Sequence, residues 1–168
     1  MKYLIVLVAT FLFAFEVKIN SIDLKNKEVT LNEYVKKGVS GVVICKYLKT
    51  PIICARAVSF GKKTKLFVYD DLKNDAFAKP VVLPKKGDKI IFAKDYSRIL
   101  IIAPNQNVYL KLKNIYKNNA IISPDVLASF LDDVNIKSLR EFAKEFNIGR
   151  YIIALDKVYE VDSYSFYK

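Results

Sequence analysis

The first half of the chain carries short apolar runs separated by turn sequences. Four of these runs have the length and the β-branched composition of strands, and they occupy residues 42–45, 52–55, 65–69 and 89–93. The glycine and lysines at residues 61–63 and the Pro-Lys-Lys-Gly-Asp sequence at residues 84–88 are typical of turns. Short strands joined by tight turns favour a small curved sheet or half-barrel, which we assign to residues 40–98 as a β-rich lobe.

Residues 15–39 precede this lobe, and we interpret them as an N-terminal extension. Their loose alternation over residues 17–31 predicts one or two short strands. Residues 32–37 predict a single helical turn closed by Gly38.

The pattern of apolar positions changes at residue 99. A continuous apolar run at residues 99–103 predicts a strand that is covered on both faces. Apolar positions then recur at helical spacing, and serines at 123 and 138 are typical of helix N-caps. A final hairpin is predicted over residues 151–161. We therefore predict an α+β fold in which residues 99–168 form an α/β lobe with a mixed sheet and about three helices.

The N-terminus resembles a secretory signal peptide. Lys2 precedes an apolar run at residues 3–13, and the small residue Ala14 follows it before the charged Glu16. The apolar run is shorter than the roughly 20 residues that a membrane-spanning helix needs. We expect cleavage after Ala14, so that residues 1–14 are removed and the mature protein acts in the periplasm or at the cell surface. An uncleaved N-terminal anchor and a buried N-terminal strand are the alternatives.

The composition argues against most enzyme classes. The chain has no histidine, which excludes Ser-His-Asp and Cys-His catalysis, and it has only two cysteines to offer a metal. Catalysis by a carboxylate pair or by a lysine is not excluded, but the acidic pairs at residues 70–71 and 132–133 are more typical of solvated turns. We therefore expect no enzymatic activity, no cofactor and no metal.

The net charge of +11 arises almost entirely from lysine, because only four of the 28 basic residues are arginine. Nucleic-acid readers rely on arginine, and an exported protein meets little nucleic acid, so we expect no nucleic-acid partner. The positive charge favours an anionic surface or an acidic protein patch. A general bias of the sequence towards lysine is the simpler explanation.

Cys45 and Cys54 are candidates for a disulfide. If residues 49–50 form the tip of the hairpin, the two cysteines lie directly opposite each other, within disulfide reach. Pro51 lacks the N–H that a tight turn uses, so this register is open, and two reduced core cysteines are the alternative.

Several segments, taken in their order along the chain, resemble one secreted bacterial family, the N-terminal domain of plasminogen-binding protein A. The segments begin at Ser40, Ala55, Tyr69, Leu83, Ile101, Ser123 and Tyr159, and the last is followed by Ser165-Phe166. The resemblance implies export and a protein partner. It also implies a role for Lys168, because plasminogen modules bind a lysine at a chain terminus.

We consider three functions. The first is a non-enzymatic scaffold or protein-binding protein of the bacterial envelope, for example an accessory subunit of a machine such as the flagellar motor. The second is a cell-surface plasminogen-binding protein that uses its C-terminal Lys168. The third is an enzyme that dispenses with histidine. After removal of the signal peptide, no membrane span is expected.

Overall fold

The computed structural model describes residues 14–70, 82–131 and 133–168. The predicted signal peptide, apart from Ala14, lies outside these residues, as does the acidic residue at each of positions 71 and 132. An α+β fold is confirmed: an N-terminal barrel is followed by a lobe with a mixed sheet and three helices.

Five antiparallel strands form the N-terminal barrel. They are β1 (Phe15–Asp23), β2 (Glu28–Val35), β3 (Ser40–Tyr47), β4 (Thr50–Phe67) and β5 (Lys89–Phe92). Their order around the barrel is β1-β2-β4-β3-β5, and β5 pairs with both β1 and β3. The sheet therefore closes into a complete barrel. The sequence predicted a small curved sheet or a half-barrel and did not decide between them.

The interior of the barrel is filled by inward-facing residues from all five strands. Val17, Ile19, Val29, Val43 and Phe92 are all almost completely buried there. Residues 15–39, interpreted above as an extension, supply β1 and β2 of this barrel. The predicted helical turn at residues 32–37 is wrong, because β2 continues to Val35 to complete the barrel wall.

The length of strand β4 contradicts a second local prediction. The turn expected at residues 61–63 is absent, because β4 runs without interruption for 18 residues. Its first half pairs with β3 and its second half with β2, so the strand must bend between two neighbours. Gly61 adopts a φ of +90°, which a residue with a Cβ rarely adopts. The glycine that predicted a turn is therefore required by the bend in β4.

The C-terminal lobe is built on a four-stranded sheet with helices on both faces. Its elements are β6 (Arg98–Ile102), α1 (Gln106–Ile115), β7 (Ala120–Ile122), α2 (Pro124–Phe130), α3 (Ile136–Glu145), β8 (Arg150–Ala154) and β9 (Val158–Asp162). The strand order is β7-β6-β8-β9, with β6 parallel to β7 and β8, and β9 antiparallel to β8.

Strand β6 is buried on both faces, as its apolar run predicts. Ile99 and Ile101 pack with Leu112 of α1 on one face of the sheet, whereas Leu100 packs with Phe142 of α3 on the other. The helix start at Ser123 is confirmed, since its side chain accepts a hydrogen bond at the N-terminus of α2. Helix α3 begins earlier than predicted: Asn135 is the N-cap, and Ser138 at position N3 completes the capping box.

Candidate functional site

The barrel and the C-terminal lobe meet at a buried carboxylate. Asp162, at the end of β9, is almost fully buried. Its Oδ2 atom accepts hydrogen bonds from the Ser40 backbone N–H at 2.9 Å and from the Tyr96 hydroxyl at 2.6 Å. Its Oδ1 atom accepts from the backbone N–H groups of Tyr164 and Ser165. One side chain thus connects the start of β3, the approach to β6 and the C-terminal segment.

Tyr96 is a permanent donor in this arrangement. Burial, followed by the charge and the hydrogen bond of Asp162, raises the pKa of the Tyr96 hydroxyl far above its usual range. The tyrosine therefore keeps its proton throughout the physiological range and continues to satisfy the buried carboxylate.

Arg150 forms a second buried group beside the first. Its Nη1 atom lies 2.6 Å from Glu160 Oε2, and its Nε and Nη2 atoms donate to the Tyr96 carbonyl oxygen. The Tyr116 hydroxyl donates to the other oxygen of Glu160 at 2.7 Å. Burial and this hydrogen bond raise the pKa of Tyr116 above its usual range. The charges of Arg150 and Glu160 are thus paired and hydrogen-bonded, which offsets their desolvation.

The C-terminal segment, residues 163–168, is held against both lobes. Tyr167 packs so closely on the turn before β3 that a Cβ added to Gly38 would lie 2.1 Å from the Tyr167 Cβ. The Asp162 N–H donates to the Tyr167 carbonyl oxygen at 3.0 Å, and the Ser165 hydroxyl donates to the Gly38 carbonyl oxygen. The segment therefore closes the junction between the lobes.

Lys168 is exposed at the outer edge of this junction. Its ammonium lies 4.4 Å from the centre of the Tyr159 ring, a cation–π contact. The neighbouring Tyr167 also makes a cation–π contact, because the Lys37 ammonium lies 5.0 Å from the centre of its ring. Lys168 is accessible but its ammonium lies over an aromatic ring.

Cys45 and Cys54 are brought together at the far end of the same β3–β4 hairpin. The structure joins them by a disulfide, with their Cα atoms 5.7 Å apart. The predicted register is wrong, because Cys45 pairs with Ile52 and the hairpin tip is at residues 48–49. A β-bulge between Val43 and Ile44 leaves Cys54 as an extra residue on β4, and this displacement restores the contact.

The described residues offer no metal site and no long apolar helix. Within residues 14–70, 82–131 and 133–168, no group of three or more acidic or cysteine side chains could hold a metal ion. No helix in those ranges has both the length and the apolar character needed to cross a membrane.

Sequence reasoning missed the junction as a site, although its signal was present. Ser40, Asp162 and Ser165 each belong to a segment that carries the family resemblance. Ser40 lies 122 positions before Asp162, and each segment was recognised without any indication that the three residues meet in space. Tyr96 and Arg150 had no such signal, since a single tyrosine or arginine is unremarkable in a sequence.

The comparisons with known proteins assign a family. The family model described as "Plasminogen-binding protein pgbA N-terminal" matches residues 14–168. Plasminogen-binding protein PgbA of Helicobacter pylori strain J99 is 28% identical over 141 residues, and the protein of the same name from strain 26695 is 26% identical over the same length.

These alignments cover 79% of this chain but only 31% of each relative, so the chain spans about a third of the length of the curated relatives it matches. No solved structure matches the chain. Because the family model covers nearly the whole sequence, the chain belongs to the family of N-terminal domains of plasminogen-binding protein PgbA.

Proposed function

We propose that the chain is an exported, non-catalytic protein-binding module of the bacterial envelope. The observation that carries this proposal is the family match over residues 14–168, whose relatives are named for binding a protein. The polar groups at the junction between the lobes support it, because Asp162, Tyr96, Arg150 and Glu160 are bonded to one another. Polar groups that are already hydrogen-bonded to one another stabilise a scaffold and are poorly placed to attack a substrate.

Export is supported by the positions at which the family match and strand β1 begin. The family match starts at residue 14 and β1 starts at Phe15, so cleavage after Ala14 would leave the first barrel strand whole. The intact mass of the protein purified from its native envelope tests the cleavage. A mass that lacks residues 1–14 is expected, and the full-length mass would favour an N-terminal anchor.

Protein binding is tested by cross-linking in intact cells that express the full chain, followed by identification of the cross-linked peptides. We expect one or two defined partners, absent from a control with an unrelated exported protein of similar charge. A structural role in a machine such as the flagellar motor predicts partners in that machine and a periplasmic location. A chain that cross-links to no protein above the control would contradict the proposal.

Binding of plasminogen through Lys168 is the second candidate function. It is favoured by the exposure of Lys168 together with the names of the relatives. Capture of the lysine must first release its ammonium from Tyr159, which lowers the affinity slightly because an exposed cation–π contact is weak.

We therefore expect weak binding to immobilised plasminogen that free lysine analogues compete and that carboxypeptidase removal of Lys168 abolishes. Replacing Tyr159 by leucine should strengthen it slightly by freeing the lysine. Binding that survives removal of Lys168 would show that the terminus is not the determinant. Cell fractionation separates the two candidates, because plasminogen binding requires surface exposure and a periplasmic scaffold does not.

A further inference from the structure

We infer that an aromatic–lysine face on the barrel, formed by Tyr34, Lys37, Phe60 and Tyr167, is the surface that binds an acidic segment of a partner protein. This inference rests on the proposed protein-binding function and assigns a surface and a partner chemistry to it. It does not involve capture of Lys168 by plasminogen.

Three large aromatic side chains are exposed on this face. Tyr34 is 72% exposed, Phe60 is 46% exposed and Tyr167 is 40% exposed. Single exposed apolar residues are ordinary on protein surfaces, but clustered tyrosine and phenylalanine rings are typical of the energetic centres of interfaces. The Lys37 ammonium joins two of these rings, since it lies 5.8 Å from the centre of Phe60 and 5.0 Å from that of Tyr167.

Tyr34 extends the face along the barrel. Its ring lies against Gly61, the residue that follows Phe60 in β4, at 3.2 Å from the position that a Cβ would occupy. Because Gly61 has no side chain, the Tyr34 ring can lie directly against β4 next to Phe60. The rings thus come from β2, β4 and the C-terminal segment, three parts of the chain that only the fold brings together.

The face is held in place before any partner arrives. Phe60 belongs to β4 and Tyr34 to β2, while Tyr167 is fixed by its packing on Gly38 and by the hydrogen bond from Asp162 N–H to its carbonyl oxygen. Rigid aromatic side chains lose little conformational entropy on binding, so their contact area contributes efficiently to affinity.

The charge of the face selects an acidic partner. Lys36, Lys37 and Lys168 border a small cavity beside Tyr167. The carboxylates on the same cavity, Glu160 and Asp162, are already bonded to Arg150, Tyr116, Tyr96 and Ser40. Within the part of the chain that the structure describes, none of the three lysines forms an ion pair. The local charge is therefore available to carboxylates of a partner, and the net charge of +11 would draw such a partner in.

A protein segment suits this face better than a membrane does. On a membrane-binding surface the aromatic rings enter the interface while lysines reach back to the headgroups from the rim. Here Lys37 lies between two of the rings, so inserting them would carry its charge towards the acyl chains. Carboxylates alternating with apolar side chains can instead contact the ammonium and the rings together.

The first test uses an eight-residue peptide of alternating glutamate and leucine, labelled with fluorescein, as the probe and the full chain purified from its native envelope. We expect saturable binding that Lys37→Glu weakens about tenfold and that Phe60→Ser weakens by a similar factor. The matched control is Lys49→Glu, which makes the same charge change at the tip of the β3–β4 hairpin. An eight-residue strand separates that tip from the Gly38 turn, a distance of about 25 Å. This control should change the affinity less than twofold.

A second measurement needs no variant. Addition of the glutamate–leucine peptide to the isotopically labelled wild-type chain should shift the backbone amide resonances of Lys37, Phe60 and Tyr167 and leave those of the β3–β4 tip unchanged. Equal weakening by Lys37→Glu and Lys49→Glu, shifts spread over all lysine-rich surfaces, or no binding would each overturn the inference. Lys37-dependent binding to vesicles of phosphatidylglycerol and phosphatidylcholine without binding to the peptide would overturn it in favour of a membrane.

The same variants separate this inference from the proposed function. If wild type and Lys37→Glu cross-link equally well to a partner in cells, the face is wrong and the protein-binding function stands. If the wild type cross-links to no protein, the proposed function fails whatever the peptide does. If Lys37→Glu loses the cross-linked partner and Lys49→Glu retains it, both the protein-binding function and the inferred face are supported.

Discussion

Asp162 is the residue on which the joining of the two lobes depends most. Its carboxylate accepts four hydrogen bonds, two from the C-terminal segment and one each from Ser40 and Tyr96. A buried carboxylate with all its acceptor positions in use is fully hydrogen-bonded, and its replacement would leave the Ser40 N–H and the Tyr96 hydroxyl buried without an acceptor. The residue therefore stabilises the junction through the completeness of its bonding more than through its charge.

We predict that Asp162→Asn lowers the free energy of unfolding by about 2–3 kcal/mol. The NH2 group of the asparagine is a donor, so in either orientation of the amide it would face other donors. These are the Tyr164 and Ser165 N–H groups in one orientation, and the Ser40 N–H and the Tyr96 hydroxyl in the other. Urea unfolding followed by circular dichroism measures the loss.

Asp23→Asn is the matched control, because Asp23 is exposed and accepts two hydrogen bonds from Asn26. The control should destabilise the protein much less than Asp162→Asn does. Equal losses at the two positions would show that the junction does not depend on Asp162.

At the scale of elements, the turn between β2 and β3 and the C-terminal segment form one interlocked unit. Gly38 combines a φ of +87° with the closest side-chain approach of any glycine described, that of Tyr167. Two separate physical requirements therefore exclude a side chain at this position: backbone strain and overlap with a ring.

We predict that Gly38→Ala lowers the free energy of unfolding by about 3 kcal/mol, of which about 1 kcal/mol is backbone strain and the rest displacement of Tyr167. Gly87→Ala isolates the strain, because Gly87 has a φ of +90° and nothing within 4 Å of its Cβ position. Thermal unfolding of both variants measures the difference. Losses of the same size would mean that the C-terminal segment is not packed on the turn.

For the β3–β4 hairpin, the sequence predicted the contact between the two cysteines but not the register of the strands. The cysteines do not face each other in the ladder, yet the bulge brings their Cα atoms to 5.7 Å. Because the hairpin is closed over only nine positions, the bond restrains a short loop of the unfolded chain.

We predict that protein from the native envelope carries no free thiol when it is alkylated in denaturant without reductant. The Cys45→Ala/Cys54→Ala double variant should lose about 2 kcal/mol of stability, and reductant should have no further effect on it. Two labelled thiols in the native protein would contradict the disulfide and indicate reduced core cysteines.

At the scale of the whole molecule, the barrel and the C-terminal lobe share contacts that neither can make alone. Ser40 and Gly38 belong to the barrel side of the junction, whereas Asp162, Ser165 and Tyr167 come from the C-terminal end. A contact that needs both lobes folded couples their stabilities.

We therefore predict that the two lobes unfold in a single transition. Hydrogen exchange read by mass spectrometry should show peptides from β4 and β8 losing protection at the same urea concentration. Asp162→Asn should separate the two profiles, because it weakens the coupling and leaves each core intact. Two transitions in the wild type would show that the lobes are independent domains.

Features that depend on a few neighbouring residues were determined by the sequence itself. The N-cap at Ser123, the doubly buried strand that begins near Ile99 and the closing hairpin each rest on a local period or a local hydrogen bond, so their signals lie within one segment. The absence of histidine likewise removed whole classes of catalysis without reference to a structure.

Only the tertiary structure decided how these pieces meet. Closure of the barrel, the bend of β4 at Gly61 and the bulge at Cys54 arise because a strand must satisfy two neighbours at once. The hydrogen bond between Ser40 and Asp162 joins residues 122 positions apart, and that between Tyr96 and Asp162 spans 66 positions. Neither separation leaves a local pattern, because the energy of such contacts depends on burial, which exists only once the chain has folded.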